Sequence, residues 1–349
     1  MITTMPHPSA VSETDGPRTA ERATHRGAPE EAAAPSAVRV VAVVVTYQPD
    51  VDGALRLIEA LEPQVARIVV VDNASRAATM EPVRDAVERR GGTFLALPEN
   101  RGVAAAQNVG IDWARKDGAT HVVLSDQDSL PAPDMVEQLL DGLRQLTDAG
   151  RRVAAVGPIV VDDRDPDAPL LFTTGRWRPR QTASPGDTDP LVPAAFLLSS
   201  GSLIPIEAFD RVGGKRSEWF IDWLDLEWSL RAQRAGLEIV AVRSAHLEHR
   251  MGDQVVRVPG RRRRAHLHSA DRNYYVARNL VLLIRSDLLP ARWRLGYAAW
   301  LLRYGLYHLV AVPPRRPRAR RLAQGLTDGL RGRTGPRTTT RQVGSTGPV

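Results

Sequence analysis

The densest chemistry in the chain sits where an apolar run ends, at Ser125-Asp126-Gln127-Asp128 directly after His121 to Leu124. Two carboxylates one residue apart, at the exit of a buried strand, can grip a divalent cation that in turn neutralises a diphosphate. The pattern alone is common. An Asp-rich turn or a helix N-cap, with Ser129 and Pro131 behind it, satisfies the same residues. Three earlier runs also end in polar residues: Thr46-Tyr47, Asp72-Asn73-Ala74-Ser75 and Glu99-Asn100-Arg101-Gly102, the last followed by Gln107 and Asn108. Downstream, Asp222 and Asp225 stand three apart, a spacing at which one can cap the helix that the other begins. His246 and His249 follow a further apolar run.

These groups need a scaffold, and the hydrophobic pattern supplies one. Arg39 to Tyr47 is a continuous β-branched run of the kind that fills a central strand covered on both faces. Leu55, Ile58 and Leu61 then recur at helical spacing within Val51 to Leu61. The alternation repeats: strand Arg67 to Asp72, helix near Pro82 to Arg90, strand Thr93 to Leu97, helix Val103 to Lys116, strand His121 to Ser125. Such alternation predicts an α/β fold with a doubly wound, mainly parallel sheet. Ligands bind beyond the carboxyl ends of its strands, so Thr46, Asp72, Asn100 and the Asp126 region are the residues to watch. After Pro158 the pattern weakens, with loops over Asp162 to Pro193. Strands are expected at Phe196 to Ile204 and Glu238 to Val242, and helices at Asp225 to Ala235 and Tyr274 to Ile284.

A chain of 349 residues with 43% apolar and 25% charged residues can bury a sizeable core. It has no cysteine, which excludes disulfides, thiolate metal sites and a cysteine nucleophile. Residues 1–37 lack apolar periodicity and read as a disordered leader without a signal peptide, so the cytoplasm is the expected location. Charge is uneven: residues 251–349 hold 20 Arg against four acids, whereas residues 1–250 hold 27 basic and 36 acidic residues. Lys occurs at Lys116 and Lys215 alone, so the Arg bias is partly compositional, and nucleic acid is not expected as a partner.

Leu295 to Val312 is apolar but carries Arg303, His308 and four Trp or Tyr. Arg303 near its middle argues against a membrane crossing. Two readings stay open for this amphipathic segment: a helix lying on the membrane, flanked by the basic run Arg315 to Arg321, or a helix packed on the domain.

Thr-Tyr after the first strand, V-D-N-x-S after the second, N-x-G with a following Asn, and D-x-D resemble the N-terminal half of the family 2 glycosyltransferases. The resemblance continues through Gly201-Ser202, FIDWLDLEWSLR (Phe220 to Arg231), Glu248-His249-Arg250-Met251-Gly252 and RNYYVARN (Arg272 to Asn279). The spellings SDQDS, IDWLDLEW and RNYYVARN resemble rhamnosyltransferases in particular. The match covers roughly Val40 to Leu283.

This resemblance implies a GT-A-type fold, with a smaller acceptor-side subregion and a C-terminal helical tail. It implies a catalytic domain over residues 38–288, divided into a nucleotide-sugar half (38–130) and an acceptor and catalytic half (131–288). A helical segment (289–322) and a disordered basic tail (323–349) would follow. It further implies that Thr46, Tyr47 and Asp72 meet the base and ribose, that Asn100, Arg101 and Asn108 border the nucleotide and sugar, and that Arg278 reaches the diphosphate. Asp126, Asp128 and His249 would hold Mg²⁺ or Mn²⁺, with His246 as the alternative imidazole. Alignment on Arg231 makes Asp225 the implied general base and Asp222 its competitor.

The implied reaction is inverting transfer from dTDP-L-rhamnose to a glycan or lipid-linked saccharide in cell-surface polysaccharide synthesis, at the inner face of the membrane. UDP-galactofuranose is the alternative donor, and a non-catalytic nucleotide-sugar-binding protein the alternative class. An NAD-dependent oxidoreductase would need G-x-G-x-x-G where TYQPD stands, and a nucleotidyltransferase usually needs a Gly-rich loop at the same place.

Overall fold

All seven residues of β1 (Val40–Thr46) are buried. Side chains alternate across a strand, and Val40, Ala42 and Val44 join one apolar cluster while Val41, Val43 and Val45 join another. A strand apolar on both sides needs a layer on each face, and helices provide both. In the computed structural model, which describes residues 37–162, 169–182, 189–249, 254–257, 264–267 and 269–337, these layers follow the expected alternation. The leader up to Ser36, Arg250 to Gly252 of the late histidine motif, and residues 338–349 of the tail lie outside the described residues.

After β1 come α1 (Val51–Leu61), β2 (Arg67–Asp72), α2 (Ala77–Arg89), β3 (Thr93–Ala96), α3 (Val103–Lys116) and β4 (His121–Asp126). Next are β5 (Ser129–Pro131), α4 (Met135–Asp148), β6 (Val153–Val161), β7 (Phe172–Thr173), β8 (Arg180–Gln181), β9 (Leu191–Pro193) and β10 (Leu203–Pro205). The order closes with α5 (Ile206–Val212), α6 (Leu224–Arg234), β11 (Glu238–His249), β12 (Gln254–Arg257), β13 (Arg264–Leu267), α7 (Ala270–Arg285), α8 (Ala291–Val310) and α9 (Arg315–Leu330). Residues of α1, α2 and α4 cover one face of the central sheet, and those of α3, α5 and α6 the other.

The sheet runs β3-β2-β1-β4-β10-β6-β11-β5, with β9 also on β11. Its first four strands are parallel, as expected. The second half is mixed, because β10 runs antiparallel to both β4 and β6. Strand β10 itself spans only Leu203–Pro205. The strand expected over Phe196 to Ile204 is accordingly short and late. Residues 196–202 form turns whose serines bond to the site described below.

At the C-terminus the helical segment continues past the expected limit of residue 322, since α9 ends at Leu330. Gly325 and Gly329 weaken helix propensity, by about 1 kcal/mol each, which is why the sequence reads as a tail there. The contact they permit outweighs that cost: a Cβ on Gly325 would stand 2.3 Å from the Tyr274 carbonyl of α7. Among the described residues, no helix is long and apolar enough to cross a membrane.

Candidate active site

Asp126 closes β4 between β1 and β10, and Asp128 sits in the turn that follows. His249 ends β11, which pairs with β5 immediately beyond that turn. Ligand atoms of Asp126, Asp128 and His249 lie within 4.8 Å of one another. Residues three apart on a strand face opposite sides, and His249 is buried beside these carboxylates whereas His246 is exposed. Ser129 Oγ holds His249 Nδ1 at 2.8 Å and shares a 2.6 Å bond with Ser200, whose Oγ accepts from the Asp126 backbone N–H. Gln127, the middle residue of the pair, clasps the Tyr47 backbone through both its amide atoms and ties this turn to the end of β1.

Burial pushes the Asp126 carboxyl up to about 6, opposed by His249 and Arg272 and reinforced by Asp128 and Asp225. Burial and the two neighbouring carboxylates thus outweigh His249 and Arg272, and a divalent cation would supply the remaining positive charge. Two carboxylates and an imidazole fit Mn²⁺ or Mg²⁺ by donor type.

At the ends of β1 and β2, Thr46 Oγ1 donates to Asp72 Oδ1 at 2.9 Å. Ser75 adds its own N–H and hydroxyl to the two Asp72 oxygens, an Asx turn. Thr46 is 1% exposed with its hydroxyl spent, so it orients Asp72 and does not reach a ligand, a correction to its expected role. Tyr47 and Arg101 are exposed. Asn100 Oδ1 accepts from Gly102 N–H and Asn73 Oδ1 from Arg101 N–H, which shapes the loop before α3. Gly102 (φ 86°) is required there, because a Cβ would lie 2.4 Å from the Phe220 carbonyl.

That contact joins the loop to the acidic motif. Phe220, Asp222 and Trp223 all adopt left-handed backbone, at a cost of about 1–3 kcal/mol each. Asn279 restrains them by donating to the carbonyls of Trp219, Ile221 and Asp222 at 2.9, 2.6 and 3.2 Å. Arg278 donates to Trp219 O and Gly335 O and has no exposed surface, so it cannot reach a diphosphate. Its expected role is corrected: the Arg-Asn pair of α7 is a clamp on the acidic loop. Asp222 caps nothing, since Trp223 occupies the N-cap of α6 and Asp222 pairs with Arg272 Nε at 3.0 Å.

Arg272, six residues ahead of Arg278, is paired with Asp222 and also pulls the Asp126 pKa down, by less than His249 does. In the sequence Arg278, on an otherwise apolar helix face, is the more conspicuous of the two arginines.

Asp225 opens α6 with its carboxylate partly exposed. Ser199 Oγ donates to Asp225 Oδ1, and the Lys215 ammonium stands 3.4 Å from the same oxygen and 5.0 Å above the Trp228 ring. Burial lowers the Lys215 pKa, and Asp225 opposes that shift. Asn108 is corrected as well: its amide bonds the Lys215 backbone N–H and C=O and the Ser217 hydroxyl, so it fixes the lysine loop. A signal for Lys215 existed, since it is one of two Lys in a chain that otherwise uses Arg and lies ten residues before Asp225. Glu227 is fully buried between Arg216 and Arg231 and is structural.

The ends of the sheet strands thus carry an Asp-Asp-His cluster, with a separate carboxylate, Asp225, beyond it. The chain belongs to glycosyl transferase family 2, whose model matches residues 41–195. It is similar to the dTDP-rhamnosyl transferase RfbF of Shigella flexneri, with 30% identity over 253 residues covering 72% of this chain and 81% of that protein.

Two solved structures share the fold. One is GalNAc-T7 with UDP, GalNAc and Mn²⁺, at TM-score 0.55 and 12% identity, covering 85% of this chain and 57% of that one. The other is residues 1–349 of S. aureus TarS with UDP-GlcNAc, at TM-score 0.53 and 16% identity, covering 84% and 81%. The protein is thus a GT-A-fold glycosyltransferase.

Proposed function

We propose that the protein transfers L-rhamnose from dTDP-L-rhamnose to a hydroxyl of a glycan or lipid-linked saccharide, with inversion at the anomeric carbon. The observation that carries the donor is the 30% identity to a dTDP-rhamnosyl transferase. Residues 38–130 form the donor side of the site and residues 131–288 the acceptor side, including the base. Asp225 removes the acceptor hydroxyl proton and retains it, while the acceptor oxygen attacks the anomeric carbon from the face opposite the dTDP oxygen. The bond from that carbon to dTDP breaks and dTDP leaves with the electron pair. One displacement by one base inverts the configuration.

Ser199 and Lys215 orient the Asp225 carboxylate. Asp126, Asp128 and His249 would hold Mg²⁺ or Mn²⁺, which when bound supplies positive charge to the departing diphosphate. GalNAc-T7, of the same fold, has been solved with UDP and Mn²⁺. Tyr47, Asn100 and Arg101 border the nucleotide and sugar, with Asp72 against the pyrimidine. The enzyme works in the cytoplasm, at the inner face of the membrane, with its C-terminal segment as the peripheral contact.

A donor panel tests the reading: nucleoside diphosphate release from dTDP-rhamnose, UDP-galactofuranose, UDP-glucose and GDP-mannose, side by side. Fastest release from dTDP-rhamnose supports it. Preference for UDP-galactofuranose would replace the donor and leave the mechanism standing.

A further inference from the structure

Helix α8 is built inside out. Its aromatic residues Trp293, Tyr297, Trp300 and Tyr304 turn inward, where Trp223 packs edge-on against Tyr297 and Trp300. Apart from Leu301, which packs inward, its larger aliphatic residues turn outward: Leu295, Leu302, Leu306, Leu309 and Val310 are 66%, 75%, 60%, 43% and 61% exposed. With Ala291, Ala298 and Ala299, also exposed, they form an unbroken stripe along the 20-residue helix, which is ~30 Å long at 1.5 Å per residue. The polar residues on this outward arc are Arg292 and Arg303, both at one margin.

No Asp or Glu occurs between Asp287 and Asp328, whereas eight Arg do. Among the described residues Arg292, Arg303, Arg316 and Arg320 have no carboxylate partner, and all four are exposed. Soluble surfaces rarely carry a continuous apolar stripe of this size without a partner.

We infer that this outer face of α8 docks flat on an anionic lipid bilayer, its leucines in the acyl boundary and Arg292, Arg303, Arg316 and Arg320 against the headgroups. A second copy of the chain is the poorer occupant. Two-fold pairing would bring the stripe against itself, and with no acid on α8 the flanking arginines would meet like charge. An anionic bilayer supplies both the apolar layer and the missing negative charge. The two readings of this segment left open by the sequence thus describe two faces of one helix. The inference sharpens the peripheral location proposed above, and it is independent of the donor and of the identity of the base.

The test is co-sedimentation of the full chain with vesicles of phosphatidylcholine, with and without phosphatidylglycerol. Binding is expected to the anionic vesicles at low salt and to weaken as salt rises. The double variant Leu302→Glu/Leu306→Glu should bind on the order of tenfold less, and Arg292→Glu/Arg303→Glu should lose the preference for phosphatidylglycerol. Both variants should keep the melting temperature and the diphosphate release of the parent, since these side chains face away from the domain. That release assay separates failure here from failure of the proposed reaction. The inference is overturned if the parent ignores anionic vesicles at low salt, or if the leucine variant binds them equally. It is also overturned if light scattering shows a dimer that the leucine variant dissociates.

Discussion

The two sides of the site are held by different means. On the metal side, every functional group follows a strand, and its restraints come from neighbouring strands or from the next turn: Ser75 holds Asp72, Ser129 and Ser200 hold His249 and Asp126, and Gln127 holds Tyr47. On the base side, Asp225 follows a loop with three left-handed residues, and that loop is held from α7, by Arg278 and Asn279. The sheet pre-organises the first cluster, and a long-range clamp pre-organises the second. Substitutions on the two sides should therefore separate metal binding from turnover.

The sharpest break is on the metal side. Asp128→Ala is expected to abolish transfer and to weaken donor binding, and excess chelator should do the same to the parent enzyme. Full activity in chelator would take the metal out of the mechanism. On the base side, Asp225→Asn keeps the shape and removes the basicity, so the rate should fall 10²- to 10⁴-fold with Mn²⁺ and donor affinity unchanged. Asp222→Asn should cost less than about tenfold, because Asn tolerates left-handed backbone and the change removes only the charge facing Arg272. A dead Asp222→Asn enzyme beside a normal Asp225→Asn enzyme would exchange the two roles.

The contrast also explains what was legible in the sequence. The metal side could be read because a parallel sheet announces itself in apolar runs, and functional groups sit where the runs stop. Even the opposite facing of His249 and His246 follows from the strand period once β11 is extended to residue 249. The base side was readable only through resemblance. Nothing local in RNYYVARN tells that Arg278 and Asn279 are spent on carbonyls near residue 220, or that Asn108 is spent on Lys215, 107 positions away. The run Phe196 to Ile204 misled for the same reason: its apolar residues suit a strand, but Ser199 and Ser200 are taken by Asp225 and Asp126.

The clamp offers the next test. Asn279→Ala takes the side-chain donor from the Ile221 and Asp222 carbonyls, while Trp219 O keeps Arg278, and this should cost about 2–3 kcal/mol of stability, read as a lower denaturation midpoint. The freed loop should lower kcat about tenfold, on the order expected when a reacting group is slightly misplaced. Mn²⁺ affinity, measured by titration on the same variant, should not change. An equal loss of metal affinity would show that the two sides are not independently built.

The smallest effect belongs to pH. Burial raises the Asp126 carboxyl from 3.8 to about 6 in the metal-free protein, so the native state holds this proton more tightly than the unfolded chain does. The sign follows: this group destabilises the metal-free fold as pH rises from about 4 to 6, and protonation below that window removes the penalty. A cation must displace the proton, so apparent Mn²⁺ affinity should fall only about twofold from pH 7 to pH 6, and about tenfold by pH 5. The Mn²⁺-induced rise in melting temperature should shrink in step. A slope steeper than one proton per ion would mean that a second group loses its proton on binding. A flat profile across this range would mean that Asp126 does not hold the metal, leaving Asp128 and His249 to carry that side.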